Sequence, residues 1–488
     1  MINDDPLNVL FICAEAEPFI KIGGLGDVAG SLPKALLKLQ KTDPNYNKLD
    51  LRVVIPFHSV IREKGFRLTQ IGSFSFASES LQHVYSVFFT DEFEAPTYLL
   101  SSDVIDGDGS VYHADPVLDG FKFVSFSIAC LELSRFLDWP VNILHANDWH
   151  TAAAIYALKT RYKADPFFSA TKSLITLHNL PYMGWGAQKA LREFGLPPSR
   201  SKWLPAWARH TPLPLGILKA DKVVAVSPNY AKEIMTPDFG FDLVPFLDHF
   251  KAKITGIVNG IDTDTWDPSN DRLIEYSFDA DHLEGKQENK LSLLKKMNLN
   301  PDPSIPLITL VSRMDEQKGI DLALQGLKKL VNKDWQAIIL GTGNPSIEKM
   351  ALELAAQYPH NVRVINKFDA GLAHMLYAGA DMFLMPSRYE PCGLSQMIAM
   401  RYGTLPVATK TGGLADTIID VKEGKDTATG FLFAEASLSS FTAALLSALK
   451  MFQDKPKWLS MLKNGMRQDF SWQKSANAYG ELYNFLQK

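Results

Sequence analysis

The sequence predicts an α/β protein made of two doubly wound units that face a deep cleft. Three observations predict it. Short apolar runs alternate with stretches of helical apolar spacing, the pattern of parallel strands joined by crossover helices. The pattern stops and restarts near residue 255. In both halves, glycine-rich or charged clusters stand directly after apolar runs, where open α/β sheets bind ligands.

The first run, 7–13, leads to K-I-G-G-L-G-D at 21–27 and then to a helix through Ala29, Leu32, Leu36, Leu37 and Leu39. Strand, glycine turn and helix place free N–H groups and the positive end of a helix dipole at a strand's C-terminal edge. Gly23, Gly24 and Gly26 lack the Cβ that would hold a ligand off the backbone. Lys21 adds a mobile cation, and Asp27 is placed to cap the helix. The loop is neither a Walker A sequence nor a dinucleotide fingerprint. Alone, it reads as a generic anion loop or as a tight turn with no ligand.

Further strands are expected at 51–56, 74–76, 84–89 and 96–100, and a helix over 121–137. A strand at 142–145 runs into N-D-W-H and a helix from Thr151. Strands at 173–177 and 222–226 end at His178-Asn179 and Ser227-Pro228. The stretch 254–258 opens the second half. A strand at 306–311, a helix from Ile320, and strands at 337–340, 362–365, 382–385 and 405–408 with helices between them complete it. The expected domains are 1–254 and 255–469, with a C-terminal helix at 470–488.

Of the 488 residues, 46% are hydrophobic and 21% charged, enough apolar material for substantial cores. A net charge of −4 points away from nucleic acid, so an anionic substrate must be met by local cations. Three cysteines do not make a disulfide framework and fit a reducing compartment. The start M-I-N-D-D-P has no apolar core for a signal peptide, and no run is long enough to span a membrane. A cytoplasmic protein with no membrane partner is the expectation.

Polar residues gather at strand ends in both halves. The first offers Lys21, Asp27, Asp148 and His178-Asn179. The second offers Arg313, Lys318, Gly341-Thr342-Gly343, residues 388–393 and Thr411-Gly412-Gly413. Arg313 and Lys318, in S-R-M-D-E-Q-K-G, suit a diphosphate, but Asp315 and Glu316 between them also suit a solvated loop. Glu390, in S-R-Y-E-P-C-G-L, suits a sugar hydroxyl or developing positive charge; it equally suits a helix N-terminus. Cys392 reads as a packed thiol. His145, His150 and His178 match no zinc spacing. The D-x-D triplets Asp106-Gly107-Asp108 and Asp262-Thr263-Asp264 sit in turn-rich stretches where Asp turns the backbone. No metal and no cofactor are expected, and neither half carries an NAD fingerprint.

Together these stretches resemble the bacterial and plant glycogen/starch synthases that use ADP-glucose. The resemblance rests on K-I-G-G-L-G-D-V at 21–28, H-A-N-D-W-H at 145–150, L-H-N-L at 177–180 and V-N-G-I-D at 258–262. It continues with S-R-M-D-E-Q-K-G at 312–319, P-S-R-Y-E-P-C-G-L at 386–394 and K-T-G-G-L-A-D-T at 410–417. It implies two Rossmann-like domains of the B-type glycosyltransferase fold, with the C-terminal helix crossing back to the first domain. It also implies metal-independent, retaining transfer of glucose from ADP-glucose to the non-reducing 4-OH of a glycogen or malto-oligosaccharide α-1,4-glucan.

By the same resemblance, Arg313 and Lys318 would hold the donor diphosphate, and Lys21 and Gly24, beside Gly23, would reach it too. Glu390 would lie by the glucose, with the backbone of Cys392, Gly393 and Leu394 on its hydroxyls. His178, Asn259 and Asp148, with Asn179 adjacent, would surround glucose and acceptor. Thr411 and Gly412, with the Gly341 turn, would lie near the phosphates, and Phe368 would place a ring against the base. Two departures stand out: Ile22 replaces the family's Thr or Val in the glycine loop, and Ile398 stands where many related transferases carry a ribose-binding Glu, which glycogen synthases of this type also lack. The same reaction with UDP-glucose is the closest alternative; a nicotinamide dehydrogenase, a glucan-binding pseudoenzyme and a pyridoxal-dependent phosphorylase are more distant ones.

Overall fold

The structure, a computed structural model, describes residues 6–42, 48–106, 109–331, 333–424 and 426–487. The chain divides into two compact units, Met1–Gly260 with Trp472–Lys488, and Ile261–Ser471. Each is an α/β unit built on its own sheet.

The first sheet has nine strands: β1 (Leu7–Ile12), β2 (Leu49–Pro56), β3 (Thr69–Ala77), β4 (Gln82–Thr90), β5 (Thr97–Ser101), β6 (Ile143–Asn147), β7 (Lys172–Leu177), β8 (Lys222–Ala225) and β9 (Ile254–Gly256). Their order is β3-β4-β5-β2-β1-β6-β7-β8-β9. Strand β1 is a nearly continuous apolar run, and β6 and β7 carry His145, Ser173 and Thr176 among their apolar residues; apart from Asn8 and Lys172 the three strands lie buried, as strands covered on both faces must. The sheet is not parallel throughout. β3, β4 and β5 form an antiparallel meander appended to the edge, and the alternating burial of β3 shows one face in solvent.

Two local expectations are corrected. The stretch at 254–258 does not open the second half: β9 pairs in parallel with β8 and closes the first sheet. The helix after β6 begins at Asp148, not Thr151, so N-D-W-H holds the strand's last residue and the helix's first turn. That helix, Asp148–Leu158, is buried throughout, its polar Asp148 and His150 included, so no solvent-facing polar stripe marked its start.

The last helix, Trp472–Leu486, belongs to the first unit. Its Tyr483 hydroxyl lies 2.7 Å from His145 Nδ1, and Thr176 Oγ1 lies 2.8 Å from His145 Nε2. Both histidine nitrogens are thus satisfied in the core. Burial pushes the ring's pKa well down and keeps it neutral.

The second sheet is wholly parallel: β10 (Leu307–Val311), β11 (Gln336–Leu340), β12 (Val362–Ile365), β13 (Met382–Met385), β14 (Leu405–Thr409) and β15 (Phe431–Phe433), in the order β12-β11-β10-β13-β14-β15. Among the parallel strands of each sheet the order reverses at one point, between β1 and β6 and between β10 and β13. Ligands of open α/β sheets bind in the crevice at such a switch point, beyond the strands' carboxyl ends.

Candidate functional site

At the first switch point the loop after β1 closes into a compact ring. The Glu17 N–H donates to Gly26 O at 3.0 Å, Ile20 N–H to Ala16 O at 3.0 Å, and Gly26 N–H to Gly23 O at 3.2 Å. The helix Gly24–Thr42 starts inside the glycine run, so Asp27 sits in its first turn and not at its cap. Asp27 Oδ1 accepts from Lys21 Nζ at 2.5 Å, and Glu17 Oε2 lies 3.5 Å from the same ammonium. Burial pushes Asp27 up to about 6 despite the pull of Lys21. Burial also works against the Lys21 charge, but Asp27 and then Glu17 outweigh it and raise its pKa.

The amides expected to be free are not all free. Glu15, unmarked by any motif, places Oε2 on the N–H groups of Ile22 and Gly23, the latter at 3.3 Å. Glu15 is 2% exposed, and burial drives its carboxyl up to about 7 although the two amides and Tyr112 pull it down.

Asp148, after β6, repeats the device. Its Oδ1 accepts from the backbone N–H of His178 at 2.7 Å and of Asn179 at 3.3 Å. Burial pushes it to about 7, against those two hydrogen bonds and with help from Glu15. Asp148 holds a left-handed backbone, φ 54°, a conformation Asp tolerates better than most residues. His178 Nε2 lies 3.0 Å from Asn147 Oδ1, and desolvation lowers its pKa to about 3, so its ring is neutral at pH 7. Asn259 is buried, and its side-chain oxygen has no hydrogen-bond partner. Buried polar atoms are seldom left so, and an unpaired one marks a place for a ligand or water.

At the second switch point the loops after β10 and β13 are locked together. Lys318 Nζ reaches both carboxylate oxygens of Glu390 at 2.7 Å, and Ser387 Oγ donates to Glu390 Oε2 at 3.0 Å. Arg388 forms a two-pronged pair with Asp321, 2.8 Å at each prong, and donates to the Glu316 carbonyl at 2.6 Å. Gly319 is left-handed at φ 64°, and a Cβ there would lie 1.9 Å from the Pro386 carbonyl oxygen. Gly412 follows the same logic: φ is 42°, and a Cβ would meet the Glu390 carbonyl oxygen at 1.9 Å. Gln396 donates to the carbonyls of Cys392 and Gly393 at 3.1 and 2.9 Å, fixing the turn's backbone. Leu394 then leads into the helix Ser395–Arg401. The Cys392 thiol is buried and forms no disulfide.

Around this core, Thr411 leads into the helix Gly412–Thr417 and is buried. The Gly341 N–H bonds the Ile365 carbonyl at 3.1 Å, and the Gly343 N–H is taken by Glu348 at 2.7 Å. Arg313 is largely exposed, with Asp315 3.4 Å away. Phe368 is 86% exposed, an unusual position for a phenyl ring.

The sequence-predicted residues thus fall into two groups. Lys21, Gly23, Gly24 and Asp27 lie on the ring after β1, while Asp148, His178 and Asn179 meet at β6 and β7. Lys318, Glu390, Cys392, Gly393 and Gly412 meet after β10, β13 and β14. Glu15 and Gln396 were missed as site-builders, and Arg388 was placed in the strand-end cluster without its Asp321 partner. A buried acid two residues past an apolar run was the available signal for Glu15. Asp262 accepts from the N–H groups of Asp264 and Thr265, so this D-x-D is a backbone turn. Gly107 and Asp108 of the other triplet lie outside the described residues. Among the described residues no cluster of three or more His, Cys, Asp or Glu is placed to hold a metal, and no helix is long and apolar enough to cross a membrane.

Comparison with known proteins gives first a class. The family described as "Starch synthase catalytic domain" matches residues 8–249, and "Glycosyl transferases group 1" matches 295–461. A sucrose-phosphate synthase from Thermosynechococcus elongatus shares the fold at TM-score 0.60 and 18% identity, covering 98% of this chain and 99% of that one. The fold is the two-unit B-type glycosyltransferase fold.

The relatives are more particular. The chain is 39% identical to a glycogen synthase of Lactococcus lactis subsp. lactis and 37% identical to one of Bacillus cereus, in each case over 98% of this chain and 100% of the relative. The catalytic domain of starch synthase IV from Arabidopsis thaliana, solved bound to ADP and acarbose, matches at TM-score 0.89 and 31% identity, over 99% of this chain and 100% of that one. The chain belongs to the glycogen/starch synthase family of glycosyltransferases.

Proposed function

We propose that the protein extends an α-1,4-glucan, transferring glucose from ADP-glucose to a non-reducing-end 4-OH with retention of configuration and without a metal. The observation that carries this reading is full-length likeness to glycogen synthases, joined to a starch synthase solved with ADP and acarbose. The residue types fit the chemistry. Departure of the diphosphate leaves negative charge on its oxygens and cation-like character on the sugar. Groups aimed at that charge lower the barrier more than they tighten substrate binding.

Arg313, Lys318 and Lys21 are the cations assigned to the diphosphate, with Gly23, Gly24, Gly341, Thr411 and Gly412 as backbone neighbours. Glu390, positioned by Lys318 and Ser387, is assigned to the glucose with Cys392, Gly393 and Leu394. Neutral His178, Asn179, Asn259 with its unpaired oxygen, and Asp148 are assigned to sugar hydroxyls, and exposed Phe368 to the base.

Retention follows from attack on the face the leaving group departs from. The C1–O bond to the β-phosphate breaks, the C1–O4 bond forms, and the 4-OH proton passes to the departing phosphate oxygen. The sequence names no second carboxylate to pair with Glu390, and same-face attack is preferred over a covalent glucosyl-enzyme on the strength of the family likeness.

A side-by-side assay with ADP-glucose and UDP-glucose on a glycogen primer tests the donor. Faster turnover of ADP-glucose is expected, and a preference for UDP-glucose would replace the donor while keeping the reaction. Activity is expected to survive EDTA; loss that added divalent metal restores would overturn the metal-free mechanism.

A further inference from the structure

We propose that Glu15 is a positioning residue for this transferase, holding the glycine loop so that Lys21 is presented as a cation. It rests on the reading of residues 21–27 as a donor loop. Ile20 is tied by its N–H to the Ala16 carbonyl, and Ile22 by its N–H to Glu15. Lys21 lies between these two anchors, and the Gly23 N–H joins Ile22 on the same Glu15 oxygen. Removing either anchor frees the backbone on one side of Lys21.

The second consequence concerns the amides themselves. A strand–glycine–helix loop ordinarily offers its N–H groups to an anionic ligand. Here those of Ile22 and Gly23 are already committed to a carboxylate of the chain's own. The loop therefore meets a diphosphate through the Lys21 side chain and not through that pair of amides. The carboxylate sits in a closed setting: Tyr112 hydrogen-bonds it, and Asp27 acts on its charge. Cys13 and Asp148 are the other titratable groups that feel Glu15. A charge-bearing group kept 2% exposed is costly unless its hydrogen bonds are made, and here they are made to the loop.

Both amides bond one oxygen, Oε2. Glu15→Gln can therefore keep both bonds through its carbonyl while its NH2 turns to the Tyr112 oxygen, whereas Glu15→Ala loses both. Misplacing a catalytic group by about 1 Å costs roughly 10²-fold. Glu15→Ala is expected to lose about that factor in kcat, with KM for glycogen and the melting temperature nearly unchanged. Glu15→Gln is expected to recover to within roughly tenfold of wild type. Hydrogen exchange without substrate supplies a separate reading: the Ile22 and Gly23 amides exchange faster in Glu15→Ala and stay protected in Glu15→Gln.

Unchanged kcat in Glu15→Ala would overturn the proposal. So would equal impairment of Glu15→Gln, which would assign the effect to charge, or a loss matched by a fall in melting temperature. If the wild type transferred no glucose, the functional reading would fall, and the exchange data would still decide whether Glu15 holds the loop.

Discussion

The loops at the two switch points are held in opposite ways. In the first unit, buried carboxylates reach out to backbone amides: Glu15 to Ile22 and Gly23, Asp148 to His178 and Asn179. In the second, cations reach from one loop to the next, Lys318 to Glu390 and Arg388 to Asp321, and glycines press backbone onto backbone. The contrast teaches where each unit is vulnerable. Removing Lys318 in the second unit strands the buried Glu390 carboxylate. Removing the Lys21 cation in the first leaves the amide anchors in place.

The largest effect that separates the two regions is expected from Lys318→Ala. It should lower kcat/KM by at least ~10²-fold if Lys318 bears on the departing diphosphate. It should also lower the melting temperature, because Glu390 is 5% exposed and would lose its charged partner. Arg313→Ala should cost a similar factor in kcat/KM without the thermal loss, since Arg313 is exposed and only loosely paired. Steady-state kinetics beside differential scanning calorimetry checks both. A loss below tenfold in either variant would remove its diphosphate role.

Lys21→Ala tests the first unit in the same way with a smaller effect. Its pairs with Asp27 and Glu17 are partly exposed, with 39% of the Lys21 side chain accessible, and exposed pairs of this kind are worth about 1 kcal/mol or less. Turnover should therefore fall well beyond any change in thermal stability. A lowered melting temperature with unchanged turnover would make the loop a structural turn and nothing more.

The same contrast explains what was legible in the sequence. Parallel strands buried on both faces leave unmistakable apolar runs, so the core strands β1, β6, β7, β10, β11, β13 and β14 were readable. β9 was misplaced because a short apolar stretch carries no sign of which neighbour it pairs with. Sites built by glycine contact or by cations on loops, such as Gly412, Lys318 and Arg313, show as motifs. Glu15 does not, because its work is done through backbone hydrogen bonds, which leave no residue-type signature at Ile22 or Gly23. The Lys318–Glu390 pair was likewise unreadable: both residues were singled out, but only the adjacency of β10 and β13 brings them together.

The smallest expected effect is a pH dependence peculiar to the first unit. Asp148 titrates near 7 in the folded state against an ordinary 3.8, and Glu15 near 7 against 4.5. For a carboxyl raised by folding, the contribution to stability is full below the unfolded value and is lost as pH rises through the folded one. His58, His150 and His178 run the other way. Desolvation lowers them to about 4, 3 and 3 from 6.5, so their contribution is full above 6.5 and is lost as pH falls.

Between about pH 7.5 and 6.5 the carboxyls dominate, because Lys253, lowered to about 8 by burial, is by then mostly charged in the folded state, and the melting temperature of the first unit should rise on acidification; above that range Lys253 opposes the carboxyls, and below about 6.5 the histidines do. Asp148→Asn keeps an oxygen for the His178 and Asn179 amides but carries no titrating proton. It should flatten the upper part of the curve by on the order of 2 °C or more, since each pKa unit is worth about 1.4 kcal/mol. A variant curve parallel to wild type from about pH 7.5 to 6.5 would mean that Asp148 is ionised at its ordinary pKa and that its burial is not felt.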